Sequence, residues 1–255
     1  MPLQPAVVAQ LSAIKARVGT SAGKVSTFAL SDLGLGDPEF NSALIYPSPT
    51  LPIDAVATGS EWLELFRYLE SHLTFLLMDR DVTEFWRYAK VLATAMLAAK
   101  QSLGGVLGQS LHVRMIRPAT VYANGATLVE TWLKAAVAQG WTAAYFTINL
   151  NASSAIPAIN TINNVAMVVI AVADLDVSAK LLEYQWYDSG NKPQGVENVT
   201  DLQVQHSTGI HPLRQCIYID KDKVFKLDVN FAAAGESVPV LFGAEFVTDT
   251  IFTAE

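Results

Sequence analysis

Cysteine, charge and long apolar runs are all scarce in this chain of 255 residues. Its single cysteine, Cys216, cannot form an internal disulfide, which excludes a disulfide-stapled scaffold. Charged residues make up 16% of the sequence, below the roughly 25% usual in soluble domains, so much of the surface is expected to be neutral. The apolar stretch 165–173 is far shorter than the roughly 18 residues of a membrane-spanning helix, and it predicts a buried strand.

Negative charge dominates the rest, with 17 Lys and Arg against 24 Asp and Glu and a net charge of −7. This charge repels phosphate backbones, so we expect no direct contact with nucleic acid. The first residues lack the pattern of a secretory signal, and we therefore expect synthesis and retention in the cytosol. No phosphate loop and no nucleophile elbow is recognisable, so we predict neither enzyme activity nor a cofactor.

The N-terminal residues have the pattern of a basic amphipathic helix. Apolar side chains recur at helical spacing, and the only charged side chains before residue 32 are basic. Such a helix can lie on an anionic membrane surface, serve as a targeting presequence, or dock on its own fold or a neighbouring subunit. The apolar residues are Val7, Leu11, Ile14 and Val18, and the candidate membrane contacts are Lys15, Arg17 and Lys24.

Residues 1–140 are predicted to be mainly helical, with an extended connector at 20–58 where proline and glycine forbid a long helix. A helical hairpin should follow, since apolar residues recur every three or four positions from Trp62 and again from Val82. A capping box at Thr127 and Glu130 predicts a shorter third helix that stops at Gly140.

Residues 141–255 change to a period of two, which is typical of strands. Short alternating runs are separated by Gly, Asn, Asp and Ser turns without intervening helices. This spacing favours an antiparallel β sandwich or a jelly-roll-like sheet. The predicted fold class is therefore α+β, with the N-terminal hairpin and helices packed on the C-terminal sheet as one compact unit.

The segment 135–173 contains no Asp, Glu, Lys or Arg in 39 positions. We interpret it as a neutral hairpin of alternating strands, which has no charge to discourage edge pairing. Three roles are open for it: a subunit contact, an amphipathic transmembrane hairpin, or a strand pair buried beneath the helices.

One group has metal-ligand character, and it consists of His206, His211 and Cys216. Imidazole and thiolate are ligands that zinc prefers. The spacing matches no recognised zinc pattern, however, so the group is only a weak candidate and no metal is predicted. Two loop histidines and a buried cysteine explain the same residues.

We therefore predict a self-assembling structural protein, a coat subunit of a virus or phage that is located in the virion. Its partners would be copies of itself or companion structural proteins, with a lipid surface as a further possibility. A membrane-active pore-forming toxin is the alternative, and a metal-dependent enzyme is third. The residues predicted to form the interface are Val7, Leu11, Ile14, Phe146, Ile148, Ile251 and Phe252.

Overall fold

A computed structural model describes three helices, two of which correspond to the predicted hairpin segments. The helices are α1 (Pro5–Ser21), α2 (Gly59–Tyr68), which continues into a π-helical turn (Leu69–Leu73), and α3 (Val82–Leu103). A capping box begins α2, where the Thr58 side chain and the Glu61 carboxylate each bind the other residue's backbone N–H. The residues described are 4–21, 26–35, 45–51, 55–73, 82–103, 110–116, 121–123, 127–128, 135–150, 165–176, 180–188, 190–198, 210–221 and 223–248.

Antiparallel strands make up most of the remaining described chain, and the predicted α+β class is confirmed at this level. The strands are β1 (Thr27–Phe28), β2 (Ile45–Tyr46), β3 (Ala57–Thr58), β4 (Leu111–Met115), β5 (Val121–Ala123), β6 (Thr127–Leu128), β7 (Ala135–Val137), β8 (Gly140–Asn149), β9 (Val165–Asp174), β10 (Leu181–Tyr187), β11 (Pro193–Asn198), β12 (Ile210–Ile219), β13 (Val224–Phe231), β14 (Gly235–Ser237) and β15 (Pro239–Thr248). A five-stranded sheet has the order β2-β12-β9-β15-β4, and a six-stranded sheet has the order β11-β10-β13-β8-β5-β6.

The third predicted helix is wrong for the residues described. Thr127–Leu128 and Ala135–Val137 are strands, and they pair with β5 and β14 respectively. A capping-box pattern is a local signal, and pairing with a distant strand outweighs it. The five-stranded sheet also contains β2 at Ile45–Tyr46 and β4 from Leu111, so strands begin well before the predicted change at 141.

The five-stranded sheet is the middle layer of the molecule, as strand β9 shows. All ten of its side chains are buried. Ala166 and Val168 belong to the apolar cluster shared with the helices, whereas Met167 and Val169 belong to the cluster shared with the six-stranded sheet. Helices thus cover one face of this sheet and the second sheet covers the other.

The uncharged segment 135–173 does not form the predicted hairpin. Strand β8 lies in the six-stranded sheet between β13 and β5, and β9 lies in the five-stranded sheet between β12 and β15. Residues 151–164 lie outside the described part of the chain. Burial on both faces accounts for the lack of charge at residues 165–173 of β9, because an unpaired charge in an apolar interior is very costly. The carboxylate of Asp174 lies at the end of the strand, where it accepts hydrogen bonds.

Carboxylates of α2 cover the β4 edge of the five-stranded sheet. The Leu111 N–H donates to Glu61 Oε1 at 3.0 Å, and the Val113 N–H donates to Glu64 Oε2 at 3.1 Å. Glu61 is 1% exposed and also accepts from the Lys100 ammonium near the end of α3. An edge covered in this way cannot pair with another strand.

Removing the Glu61 carboxylate is expected to destabilise the fold. Glu61→Ala leaves the Leu111 N–H and the Lys100 ammonium without this acceptor, and we expect a loss of about 3 kcal/mol in the free energy of unfolding. Glu64→Ala is the control. Its side chain is 35% exposed, so water replaces it and the loss should stay near or below about 1 kcal/mol. Urea denaturation measures both, and equal losses would contradict this account.

Gly243 marks a register shift where β15 passes very close to β9. Its φ is +157°, and a Cβ atom built there would lie 1.9 Å from the Val168 carbonyl oxygen. The Tyr68 hydroxyl of α2 donates to the Gly243 carbonyl at 2.7 Å, and the Ile116 N–H donates to it at 3.2 Å. The Gly243 carbonyl at this register shift is therefore hydrogen-bonded both to α2 and to the residue that follows β4.

Gly243→Ala should prevent this close approach and destabilise the protein by more than about 3 kcal/mol, because backbone atoms in the central sheet have to move. Gly19→Ala in α1 is the matched control, since nothing lies within 4 Å of its Cβ position. Helix propensity predicts that the control is neutral or stabilising by up to about 1 kcal/mol. Thermal unfolding measures both variants, and a Gly243→Ala protein as stable as the wild type would refute the argument.

Candidate functional site

The residues predicted to contact other copies are largely covered within the chain. Val7 and Leu11 are 2% and 1% exposed in the helix-facing cluster, against which Ile14 also packs. Phe146 and Ile148 lie in the cluster between the two sheets. Ile251 and Phe252 lie outside the described residues. The five described side chains are thus used for internal packing and present no open apolar face, so an interface has to be sought elsewhere.

The predicted lipid contacts of α1 also have partners within the chain. The Lys15 ammonium lies 2.7 Å from Glu70 Oε2, and the Arg17 guanidinium donates to the Asp32 carbonyl at 2.7 Å. Lys24 lies outside the described residues. Among the helices that the structure describes, none is both long and apolar enough to cross a bilayer.

The structure does not bring the weak metal candidates together. His211 pairs in register with Val172, which belongs to the cluster between the sheets, whereas Cys216 belongs to the helix-facing cluster. The two side chains therefore lie on opposite faces of β12, and burial raises the pKa of Cys216 to about 12. His206 lies outside the described residues, within which no group of His, Cys, Asp or Glu could hold a metal ion.

A buried polar cluster around Asp174 closes one end of the two sheets. Asp174 accepts hydrogen bonds from the Ser237 hydroxyl at 2.7 Å and from the Val238 and Lys180 N–H groups at 2.9 and 3.0 Å. These bonds connect the end of β9 to the starts of β10 and β15. His211 is 1% exposed nearby, and its Nδ1 has no hydrogen-bond partner.

Loss of solvation lowers the pKa of His211 to about 4, although the nearby charge of Asp174 opposes this shift. The imidazole is therefore neutral at neutral pH. With its side chain almost fully buried, it cannot reach a substrate in solution. We assign this cluster a structural role, which is to hold together three strand ends.

His211 should make the stability depend on pH. Its pKa is lowered in the folded chain, so the unfolded chain binds the proton first as the pH falls below about 6.5. Stability present above that pH is lost progressively toward pH 4, by about 3 kcal/mol. Urea denaturation at pH 8, 6 and 4 should show this loss in the wild type and a smaller one in His211→Leu. Equal losses in both proteins would contradict the assignment.

The outer face of the six-stranded sheet is the open face of the molecule, since the helices cover the other sheet. Inward side chains of β13 are apolar, and the alternate residues of β10 and β13 point outward. Glu183 accepts from the Asn230 amide at 2.8 Å and from the Asn198 amide at 3.2 Å. Trp141 pairs with Asn230 and continues this row across β8.

Two large apolar side chains are exposed on this face: Trp141 at 48% and Val196 at 50%. Val196 pairs in register with Gln185, beside the row that contains Glu183. Sequence reasoning missed Trp141 as a contact residue. The alternation could not show it, because β8 has a register shift between Thr142 and Phe146, and Tyr145, which has the same parity as Trp141, is buried. We refer to Trp141, Glu183, Gln185, Val196, Asn198 and Asn230 as the open face.

Comparison with known proteins provides no relative for this chain. No family model, no curated protein and no solved structure matches it. Function therefore has to be argued from the geometry of the chain itself.

Proposed function

We propose that this chain is a self-assembling structural protein, a coat subunit of a virus or phage. The observation that carries the proposal is the nesting of four antiparallel strand ladders in the part of the chain that the structure describes. Among the eight long strands, the first pairs with the last, the second with the seventh, the third with the sixth and the fourth with the fifth. These ladders are β4–β15, β8–β13, β9–β12 and β10–β11.

Nested ladders of this kind arise when one long antiparallel hairpin is rolled up, so that its successive strand pairs alternate between two sheets. The first and third ladders belong to the five-stranded sheet, and the second and fourth belong to the six-stranded sheet. We interpret this order as a jelly roll, an architecture that viral capsid and lectin domains use. The Glu61–Lys100 ion pair joins the start of α2 to the end of α3, which supports the antiparallel helical hairpin on its outer side.

A fold alone does not establish a function, so the interior and the surface have to support the proposal. The space between the sheets is filled by large apolar side chains, which include Phe146, Leu227 and Leu241. A filled interior of this kind supports use as a rigid building block. Contacts with partners then have to come from the outside of the roll.

The open face fits a contact between protein subunits. Interfaces favour aromatic residues such as Trp141 and avoid unpaired charges. The charged side chains that point outward from β10 and β13 have partners within the chain. Glu183 accepts from two asparagine amides, the Asp228 carboxylate accepts from the Ala144 N–H at 2.6 Å, and the Lys226 ammonium donates to Asn191 at 3.3 Å. Copies of the chain or companion structural proteins are the proposed partners. The net charge of −7 opposes direct binding to nucleic acid, so an inner layer would be protein or lipid.

Trp141→Glu should disrupt assembly, because it places a charge at the exposed aromatic residue of the open face. We expect light scattering after gel filtration to show at least a tenfold loss of the assembled fraction. Val8→Glu is the matched control, since Val8 is 46% exposed but lies on α1. This variant should assemble like the wild type.

Circular dichroism would confirm that both variants are folded. Disruption by Val8→Glu, with no effect of Trp141→Glu, would place the interface on the helices. It would also contradict a contact through the open face.

No observation specifically supports the alternative of a pore-forming toxin. To form a transmembrane hairpin, β8 and β9 would have to leave two different sheets, and every side chain of β9 is buried. Dye release from liposomes distinguishes the two functions, because a toxin causes leakage and a coat subunit causes little. The third candidate, a metal-dependent enzyme, is likewise unsupported by the positions of His211 and Cys216 on opposite faces of β12.

A further inference from the structure

A cavity of about 510 Å³ lies at the end of the sheets opposite the Asp174 cluster. Its volume is within the range of about 300–1,000 Å³ typical of small-molecule sites. The end of α3, the segment that follows β2, and the loops after β10 and β12 meet there. Its lining includes Tyr46, Gln101, Asp188, Tyr218, Asp220 and Lys223.

The hydrogen-bonding groups of the cavity include acceptors, donors and groups that do both. The carboxylates of Asp188 and Asp220 only accept, and the ammonium of Lys223 only donates. The amide of Gln101 and the hydroxyl of Ser102 can do either. A ligand with several hydroxyl groups can satisfy all of these, because each hydroxyl also donates and accepts.

The Asp188 carboxylate is held in place by its own loop. Its Oδ1 accepts from the Gly190 N–H at 2.8 Å and the Lys192 N–H at 3.0 Å, and its Oδ2 lies 3.4 Å from the Tyr46 hydroxyl. These backbone N–H groups lower the pKa of Asp188, although partial desolvation opposes them. The group is therefore an ionised acceptor with a fixed position.

Asp220 is positioned in a similar way on the other side. Its Oδ1 accepts from the Lys221 N–H at 2.8 Å and from the Tyr218 hydroxyl at 3.3 Å. Burial and the charge of Asp220 raise the pKa of Tyr218, so its hydroxyl remains a donor. Both carboxylates are thus oriented by groups of the protein before any ligand arrives.

Apolar surface makes up the rest of the lining. The rings of Tyr46, Tyr218 and Phe225 contribute to it, together with Pro47 and Pro49. Ligand sites combine such apolar walls with a few fixed polar groups. A sugar ring matches this combination, because its C–H groups are apolar and its rim carries hydroxyl groups.

We propose that this cavity is a binding site for a neutral saccharide. Its charged groups are two carboxylates and one ammonium, so the lining disfavours an anionic ligand. The mixture of fixed acceptors and donors beside apolar walls is what matches a neutral ligand with many hydroxyl groups. The site does not depend on the proposed coat function, since it lies at an end of the sheets and not on the open face. Either proposal can fail without the other.

A matched series of sugars tests the proposal by saturation-transfer NMR on the full chain. The neutral probes are glucose, galactose and N-acetylglucosamine, the cationic probe is glucosamine, and the anionic probe is glucuronic acid. We expect at least one neutral sugar to bind at millimolar concentration, and glucuronic acid to bind more weakly. Binding of glucosamine or glucuronic acid alone would overturn the proposal, and so would no binding of any neutral sugar.

Two variants locate the binding. Asp220→Asn and Gln101→Ala should each raise the dissociation constant of the neutral sugar at least fivefold, because the first replaces a carboxylate oxygen by an amide group that only donates and the second removes an amide of the cavity. Gln101 is exposed on α3, so its replacement leaves the fold intact. Gln10→Ala, in a different cavity next to α1, is the control and should bind like the wild type. Unchanged binding in both cavity variants would show that the sugar binds elsewhere, and this would also overturn the proposal.

Discussion

Burial of β9 on both faces is the constraint on which the rest of the structure depends. A strand whose first nine residues are uncharged can lie between two layers, so the helices pack on one side of its sheet and a second sheet packs on the other. Backbone groups at irregularities of this buried sheet need hydrogen-bond partners within the protein. The Gly243 carbonyl, at the register shift of β15, accepts from the Tyr68 hydroxyl. The β4 edge is covered by side chains of α2, and the outward surface is left to the six-stranded sheet.

Local periodicity was sufficient to predict the helices and most long strands. The alternation in β13 is reproduced residue by residue, and the spacing of Val7, Leu11 and Val18 correctly indicates the buried side of α1. Pairing was not predictable in this way. The partner of β8 is β13, more than seventy residues later, and β9 pairs with β12 and β15, so no local pattern shows that β8 and β9 separate.

The candidate functional residues also depend on strand pairing and loop placement more than on local periodicity. His211 and Cys216 are five positions apart, a spacing that places two residues of one strand on opposite faces. Sequence reasoning assigned His211 to a loop, which is wrong, and so did not apply this alternation. The lining of the polar cavity comes from segments near residues 46, 101, 188 and 220. Only the fold brings these together. The outward position of Trp141 was likewise not visible in the sequence, because the register shift in β8 interrupts the alternation.

The central claim is that the chain forms an ordered assembly through the outside of its rolled sheets. The most direct test is the mass of the purified full chain in solution, measured by light scattering over a range of concentrations together with negative-stain images. The account predicts large species of regular shape whose mass is a multiple of 27.6 kDa. A single species of 27.6 kDa at every concentration, with no particles in the images, would contradict it.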